Sequence, residues 1–417
     1  MESNMIIIGA GAAGLMAART LALAGNTVTV LEARNRTGGR INTISNTSFF
    51  TKAELGAEFI HGDLPVTLDL LKEADIATQP FDMQTWRYRD GQFRPEEEQV
   101  EHWDIVMQKL AELEQDQPIA QFMRQHFGDE RYVAVTRSVL QFVAGYDTAD
   151  PEKAGAFALR KEWQAEVEGA QHHIPDGYCA MIGYLSSQIK TNGGTVHLGA
   201  EVTDIYHAPG DVRVVTSNGD TYQAQKLIVA LPLGVLQQGA VKFHPPVPKY
   251  QAAFKHIGFG SIIKILFQFD TAFWEDELGI SGTSFLFTDE AIPTWWTQGN
   301  GDPLLTGWLG GNPALALKNA PDDELYQLGL TSLANAFHID IELLKGKLTT
   351  WRVANWTADP YTRGSYAYDM IGSDEARKVI SQPINDTVFF AGEYLYDGPA
   401  MGTVEAALNS GVNCLNR

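Results

Sequence analysis

The sequence predicts an α/β chain in two parts: a nucleotide-binding domain built on a parallel sheet, and an inserted α+β domain of mixed β-sheet and helices. Three observations predict it. At 417 residues the chain exceeds what one hydrophobic core commonly serves. Residues 5–34, MIIIGAGAAGLMAARTLALAGNTVTVLEAR, read as a β-branched strand, a glycine turn, an alanine-rich helix, a break at Gly25-Asn26 and a second strand. Strand texture returns at 195–231 and 387–391, with different patterns in between. The expected division is residues 1–75, 190–240 and 375–417 for the nucleotide-binding domain, and 76–189 with 241–374 for the second.

Each element follows from its local pattern. From about 65 to 163 the chain turns to long polar stretches with helical spacing, including an acidic face of Glu96, Glu97, Glu98 and Glu101 and the segment 103–113; this reads as a helical insertion. Gly219-Asp220 marks a hairpin turn between VRVVTS and TYQAQKLIVALP. Pro245, Pro246 and Pro248 interrupt regular structure, after which strands such as IIKILFQF and helices such as 322–337 alternate as far as Tyr368. TVFFA at 387–391 is a buried strand, and a last helix starts near Gly402.

Composition narrows the function classes. With 44% hydrophobic and 20% charged residues the chain buries a core and is neither disordered nor fibrous. Its 31 basic and 51 acidic residues leave a formal charge of −20, which repels phosphate backbones and anionic lipid surfaces and suits cationic partners. Nucleic acid and membrane partners are therefore not expected. Two cysteines, Cys179 and Cys414, cannot build a disulfide framework and fit a reducing, cytoplasmic setting. The N-terminal apolar stretch lacks the basic region and cleavage site of a signal peptide, and no window reads as a membrane span. His172-His173 has no carboxylate at ligand spacing, and neither H-E-x-x-H nor C-x-x-C occurs, so no metal is expected.

Gly9, Gly11 and Gly14, with Ala13 between the last two, fill a G-x-G-x-x-G that follows a strand and opens a helix. Glu32 closes the second strand, where a carboxylate accepts hydrogen bonds from a ribose diol and repels a 2′-phosphate. This context makes the domain Rossmann-like. The sequel through Glu32, Ala33 and Arg34 to Gly38, Gly39 and Arg40 suits a flavin dinucleotide: the glycines let the chain pass close to it, Arg40 can pair with the pyrophosphate and Arg34 can assist.

Further motifs are spread along the chain: ELGAEFIHG at 54–62, EVTDI at 201–205, LIVALPLGVL at 227–236, FGSIIKI at 259–265 and FDTAFW at 269–274. NWTADPYTRGSYAY at 355–368, FAGE at 390–393 and GTVEAALNSG at 402–411 complete the set. Together they resemble the flavin-dependent amine oxidase superfamily, in its polyamine oxidase and lysine-specific histone demethylase branches. The resemblance implies FAD as cofactor, with Glu393, after Gly392, holding the ribityl chain. It also implies that Val202 contacts the adenine through its backbone, that Gly56, Ala57, Glu58 and Phe59 line the flavin, and that Trp356 packs against it. The amide of Val404, at a helix start capped by Thr403, could point at a flavin carbonyl.

For the reacting centre the resemblance implies that Lys264 reaches flavin N5 through a water and assists reoxidation by oxygen. Alternation alone puts Lys264 on one strand face with Ile262 and Leu266, where snorkelling is the ordinary outcome. Tyr366 matches the aromatic position that flanks the substrate amine, and His61 matches a substrate-facing position. Thr403 stands where monoamine oxidases carry a second cage tyrosine, and Ser365 where they carry the cysteine that bonds the flavin, so the FAD is expected to be noncovalent. By composition alone Trp356 and Tyr366 are core aromatics, His61 a structural hydrogen-bonder, Val202 an ordinary strand residue and Glu393 a turn carboxylate.

An alkylamine titrates near pH ~10.4, and only its neutral form has the lone pair that makes the neighbouring C–H bond hydridic. Lowering that value to about 7 takes roughly 4 to 5 kcal/mol of destabilisation of the cation, which an apolar pocket supplies. Acidic recognition groups are therefore expected away from the reacting nitrogen. The expected function is an FAD-dependent amine oxidase that passes hydride to flavin N5 and reduces oxygen to hydrogen peroxide, with polyamines the favoured substrates. The alternatives are an amino-acid oxidase with a carboxylate clamp from Arg87, Arg160 or Arg363, a desaturase-type dehydrogenase, and a flavin-binding sensor without turnover. The expected partners are a small amine and oxygen; monomer and homodimer both remain open.

Overall fold

The computed structural model describes residues 4–46, 50–81, 84–89, 92–95, 100–165, 171–276, 279–280, 284–298, 302–398 and 400–415. The apolar run at the N-terminus becomes β1 (Asn4–Ile8), flanked in parallel by β2 (Thr27–Leu31) and by the strand Lys226–Val229. Thr195–His197 and Val388–Phe390 complete a five-stranded parallel sheet at its edges. A strand covered on both faces must be apolar on both, and Met5, Ile6, Ile7 and Ile8 are all buried. One face carries α1 (Ala12–Leu23) together with the helices Cys179–Thr191 and Val404–Asn413. The other face packs on a mixed sheet of Thr221–Ala224, Asp211–Thr216, Val202–Ala208 and Lys242–His244, the first three antiparallel and the last parallel to its neighbour.

Three boundaries differ from the sequence expectation. Helix Cys179–Thr191 buries Met181, Ile182, Leu185 and Ile189 in the core that holds α1, so the expected boundary at 190 falls before this helix instead. The segment from Lys242 through Ile257 also packs on the parallel sheet, with Tyr250 and Phe254 against the Phe390 ring. The stretch TYQAQKLIVALP forms two strands, Thr221–Ala224 in the mixed four-stranded sheet and Lys226–Val229 in the parallel one. The hairpin turn itself lies where expected, with Gly219 at φ +89.

The second part holds a seven-stranded sheet ordered Leu348–Asn355, Ile262–Phe269, Leu304–Gly310, Thr294–Thr297, Ser284–Phe287, Gln84–Arg89 and Gln92–Pro95. Residues 84–95 were expected to be helical and instead form an edge hairpin, because Trp86 and Phe93 point into the sheet's core. The helical insertion begins later, as Trp103–Ala111, Ile119–His126, Val133–Gly145 and Ala156–Gln164. Of the expected acidic face, Glu96, Glu97 and Glu98 lie outside the described residues, and Glu101 is exposed. Helix Asp322–Phe337 forms as expected and covers the face of strand Ile262–Phe269 that carries Ile263, Ile265 and Phe267. The strand's other face presents Ile262, Lys264 and Leu266, and Leu266 packs on Ala53 and Leu55. Among the described residues no helix is long and apolar enough to cross a membrane.

The last helix also braces the nucleotide side. Glu405 is buried, and its carboxylate accepts from Val66 N at 3.0 Å and from Thr67 N and Oγ1 at 2.7 Å each. These donors start helix Pro65–Glu73, whose N-cap, Leu64, has no side-chain acceptor. Glu405→Ala should therefore lower stability by about 3 kcal/mol, read as a lower denaturant midpoint, with Glu405→Gln losing less. Equal midpoints for the native protein and Glu405→Ala would contradict this brace.

Candidate active site

A cavity of about 1320 Å³ reaches from the first glycine turn to the helical insertion. Small-molecule pockets usually hold about 300–1,000 Å³, so this one has room for a dinucleotide and a substrate together. Of the residues expected at the cofactor and the reacting centre, all but Gly14 line it. Gly14 lies beneath, where a Cβ would sit 2.0 Å from the Gly9 carbonyl oxygen and force α1 away from β1. A Cβ on Gly11 would meet nothing within 4 Å, so the turn leaves open space just where the N-terminus of α1 presents Ala12 and Ala13. That helix start has no side-chain cap and no acidic residue in its first turn, which leaves its amides to an anion.

Glu32 is buried at the end of β2, held by Ala10 N at 2.7 Å and Arg34 N at 2.9 Å. Each contact occupies one carboxylate oxygen on one side and leaves lone pairs for a ribose diol. The arginines are more committed than expected. Arg34 is bidentate to Asp359, also reaches Thr362, and stacks near Trp356 and Tyr361, so it supports the turn and does not serve as a free pyrophosphate partner. Arg40 Nη1 pairs with Glu393 at 2.8 Å and with the Ser365 carbonyl, and Glu393 also accepts from Ala367 N at 3.2 Å. Trp356 donates its indole N–H to Leu55 O at 2.7 Å, which fixes one wall of the cavity beside Gly56. Val202 is buried at the start of its strand and lines the cavity.

Lys264 is 1% exposed and its Nζ lies 2.7 Å from Glu58 Oε2 and 3.3 Å from the Gly56 carbonyl. It does not snorkel. Glu58 Oε1 accepts from Trp296 Nε1 at 3.0 Å, the Trp296 ring lies under the lysine, and Gln298 Nε2 approaches at 3.4 Å. Burial pushes the Glu58 carboxyl up, and the Lys264 charge and the hydrogen bonds from Lys264 and Trp296 oppose that rise. Glu58, expected from the sequence to line a flavin, is here the lysine's counterion. Nearby Glu54 accepts from Tyr178 N at 2.8 Å and from Thr43, and burial raises its carboxyl from the usual 4.5 to about 7.

The opposite wall carries Tyr366, whose hydroxyl donates to the Tyr146 carbonyl. His61 Nδ1 is 2.6 Å from Gln171 Oε1 and its ring is edge-on to Tyr146; burial lowers its pKa and favours the neutral ring. Thr403 is not half of a cage: its hydroxyl donates to Ala400 O at 2.6 Å and accepts from Ala406 N at 3.2 Å as the cap of the last helix. Val404, the first residue of that helix, lines the cavity. Ser365 is buried against Thr148, a hydroxyl with no sulfur to tether a cofactor. The sequence reading did not single out Trp296, Tyr146, Asp147 or Glu162, all of which line the cavity. For Asp147 the one available signal is an acid closing the apolar stretch QFVAGYD. Among the described residues no group of three or more potential ligands could hold a metal ion.

The family profile of flavin-containing amine oxidoreductases matches residues 12–414. Polyamine oxidase 2 of Arabidopsis thaliana is 26% identical over 451 residues, covering 99% of this chain and 88% of that protein. Putrescine oxidase of Kocuria rosea is 29% identical over 437 residues, covering 89% and 86%. Human lysine-specific histone demethylase 2 is 28% identical over 430 residues; the match covers 94% of this chain but only 50% of the demethylase. In fold, a solved putrescine oxidase bound to putrescine superposes with a TM-score of 0.81 at 20% identity over 99% of this chain and 98% of that one. A cyclohexylamine oxidase from Brevibacterium oxydans IH-35A gives a TM-score of 0.81 at 20% identity, covering 100% and 98%.

The buried charges make two measurable demands. Glu58→Gln leaves the Lys264 charge without its partner and should cost about 3–5 kcal/mol of unfolding free energy, while the double variant with Lys264→Met recovers part of the loss. Strict additivity of the two single losses would contradict a direct ion pair. For Glu54, the folded carboxyl keeps its proton up to about 7 whereas the unfolded one releases it near 4.5, so stability falls as pH rises between those values. That group alone accounts for about 3 kcal/mol over the window, and Glu54→Gln should flatten the pH dependence of unfolding there. An unchanged slope in Glu54→Gln would rule out this assignment.

Proposed function

The chain belongs to the flavin-containing amine oxidoreductase family, and from that premise we propose that it oxidises a primary or secondary amine of the di- and polyamine class to an imine. Water then hydrolyses the imine to an aldehyde, and oxygen is reduced to hydrogen peroxide. The observation that carries this reading is that one cavity joins the dinucleotide cradle at Glu32 and α1 to an aromatic wall and a buried, ion-paired lysine. The residues fit FAD: open space over Gly11, free amides at α1, an acceptor at Glu32 and a helix start at Val404. Bound there without a covalent link, FAD supplies the acceptor for a hydride from the carbon next to nitrogen and hands the electron pair to oxygen.

The protein's own residues do the rest. Phe59, Tyr146 and Tyr366 make the substrate-facing surface apolar and aromatic, which destabilises an ammonium at the reacting carbon and favours the free amine. Neutral His61 adds no positive charge to repel an incoming cation. Lys264, held in place by Glu58, places a fixed positive charge at the sheet side of the cavity, where negative charge builds on electron uptake. An amino-acid oxidase would need a cation for the substrate carboxylate. Arg160 instead bonds the carbonyls of Leu110 and Leu113, Arg363 bonds Pro360 O and Gln238, and Arg87 lies over the Phe287 ring. The two free cysteines suit a reducing, cytoplasmic setting.

Anaerobic mixing with diamines and polyamines should bleach the flavin absorbance, and admitting air should restore it with release of peroxide equal to the amine consumed. Lys264→Met should keep anaerobic bleaching but slow reoxidation by on the order of a hundredfold, the scale of losing one electrostatic stabiliser. A yellow protein that no amine bleaches would overturn the reading.

A further inference from the structure

Among the described residues the cavity wall holds one sulfur. Of the nine methionines, Met1 and Met83 lie outside the described residues, and Met5, Met16, Met123 and Met181 are buried in hydrophobic cores. Met107 and Met370 pack against the core of the helical insertion. Neither cysteine lines the cavity: Cys414 is buried, and Cys179 Sγ accepts from Thr43 N at 3.2 Å. That leaves Met401, half-buried and part of the cavity wall.

Its sulfur sits against a fixed donor. Arg377 is 5% exposed; its Nη2 bonds Asp369 at 2.8 Å and Asp374, and its Nη1 bonds the other oxygen of Asp369. Nη1 also donates to Met401 Sδ at 3.8 Å. The position adjoins the reacting centre. Met401 is followed by Gly402, where a Cβ would sit 2.9 Å from Tyr366 Cδ2, and by Thr403, the cap of the last helix.

We propose that Met401 is oxidised to its sulfoxide by the hydrogen peroxide that the enzyme itself forms, and that the sulfoxide slows amine oxidation. This goes beyond the amine-oxidising reading above and rests on it. A sulfur lone pair attacks one peroxide oxygen; the S–O bond forms as the O–O bond breaks, and the proton on the transferred oxygen passes to the departing hydroxide, giving sulfoxide and water. Sulfur loses two electrons and peroxide gains them. The Arg377 guanidinium is placed to donate to the departing oxygen and then to the sulfoxide oxygen, a far stronger acceptor than a thioether. Peroxide formed in the cavity meets this sulfur before bulk water dilutes it. A sulfoxide oxygen on the wall also accepts from an ammonium, so it stabilises the substrate form that cannot give up a hydride and offsets the apolar surface around Tyr366. Product thereby restrains the enzyme that makes it.

The test turns over the FAD-loaded enzyme in air with whichever of putrescine and spermidine bleaches its flavin, with catalase in the bulk, and reads each methionine by peptide mass spectrometry. Sulfoxide at Met401 should rise with turnover number and exceed that at Met107 or Met370 by about tenfold, because catalase removes only peroxide that has left the cavity. In step with it, kcat/KM for the amine should fall by about tenfold, the scale of one hydrogen bond to a charged group. Methionine sulfoxide reductases of both epimer specificities should restore the rate, and Met401→Leu should keep its own starting rate through the same number of turnovers. Met401 intact after turnover, or oxidised with no change in kcat/KM, overturns the proposal. If neither amine bleaches the flavin, the oxidase reading fails and reagent hydrogen peroxide added to the holoenzyme decides the site: Met401 oxidised ahead of Met107 and Met370 upholds it, and Met401 oxidised with them or after them removes it.

Discussion

A lysine ammonium cut off from water costs several kcal/mol unless a counterion and further hydrogen bonds surround it. Strand Ile262–Phe269 places Lys264 in that position by simple alternation, its odd neighbours buried under helix Asp322–Phe337 and its even ones facing the segment after Glu54. Glu58 answers the charge, Trp296 and Gln298 hold Glu58, and Gly56 gives the lysine a carbonyl. The pair therefore ties the seven-stranded sheet to the chain that leaves the nucleotide turn. It fixes the relative place of the two walls between which the cavity lies. With it the sheet side of the cavity is polar at one point and apolar around it.

From that join the fold distributes charge along one cavity. At the end formed by the parallel sheet and α1, the helix start has no side-chain cap and the Glu32 carboxylate offers acceptors. The middle is aromatic, with Phe59, Tyr146 and Tyr366. The part built by the helical insertion carries Asp147 and Glu162, and Asp147 Oδ2 has no hydrogen-bond partner among the described residues. The net charge of −20 favours the approach of cations at long range.

The parts legible in the sequence are those set by local rules. The glycine fingerprint, the two strands around α1, the hairpin at Gly219 and the helix 322–337 follow from period, turn chemistry and β-branching over a few residues. The hairpin Gln84–Arg89 with Gln92–Pro95 carried its own signal, an Asp-Gly at 90–91 between alternating aromatics, and was hidden by the polar residues around it. Lys264 stood out as a charge within an apolar strand, but its partner Glu58 is 206 residues away and could be assigned only once the sheets were paired. Asp147 gives only the faint signal of an acid closing an apolar stretch, and Glu162 reads as a surface acid on a helix. Arg34 read as a ligand-facing cation and is instead neutralised by Asp359, 325 residues later. Roles that depend on long-range partners are the ones that local pattern does not reveal.

The most direct measurement of the central claim is a crystal structure of the protein with FAD bound. The account predicts the dinucleotide running from Glu32 past the first turn of α1, with its ring system in the cavity between the Lys264–Glu58 pair and Tyr366. A cofactor lodged elsewhere, or Lys264 turned out of the cavity with Glu58 paired to another group, would contradict it.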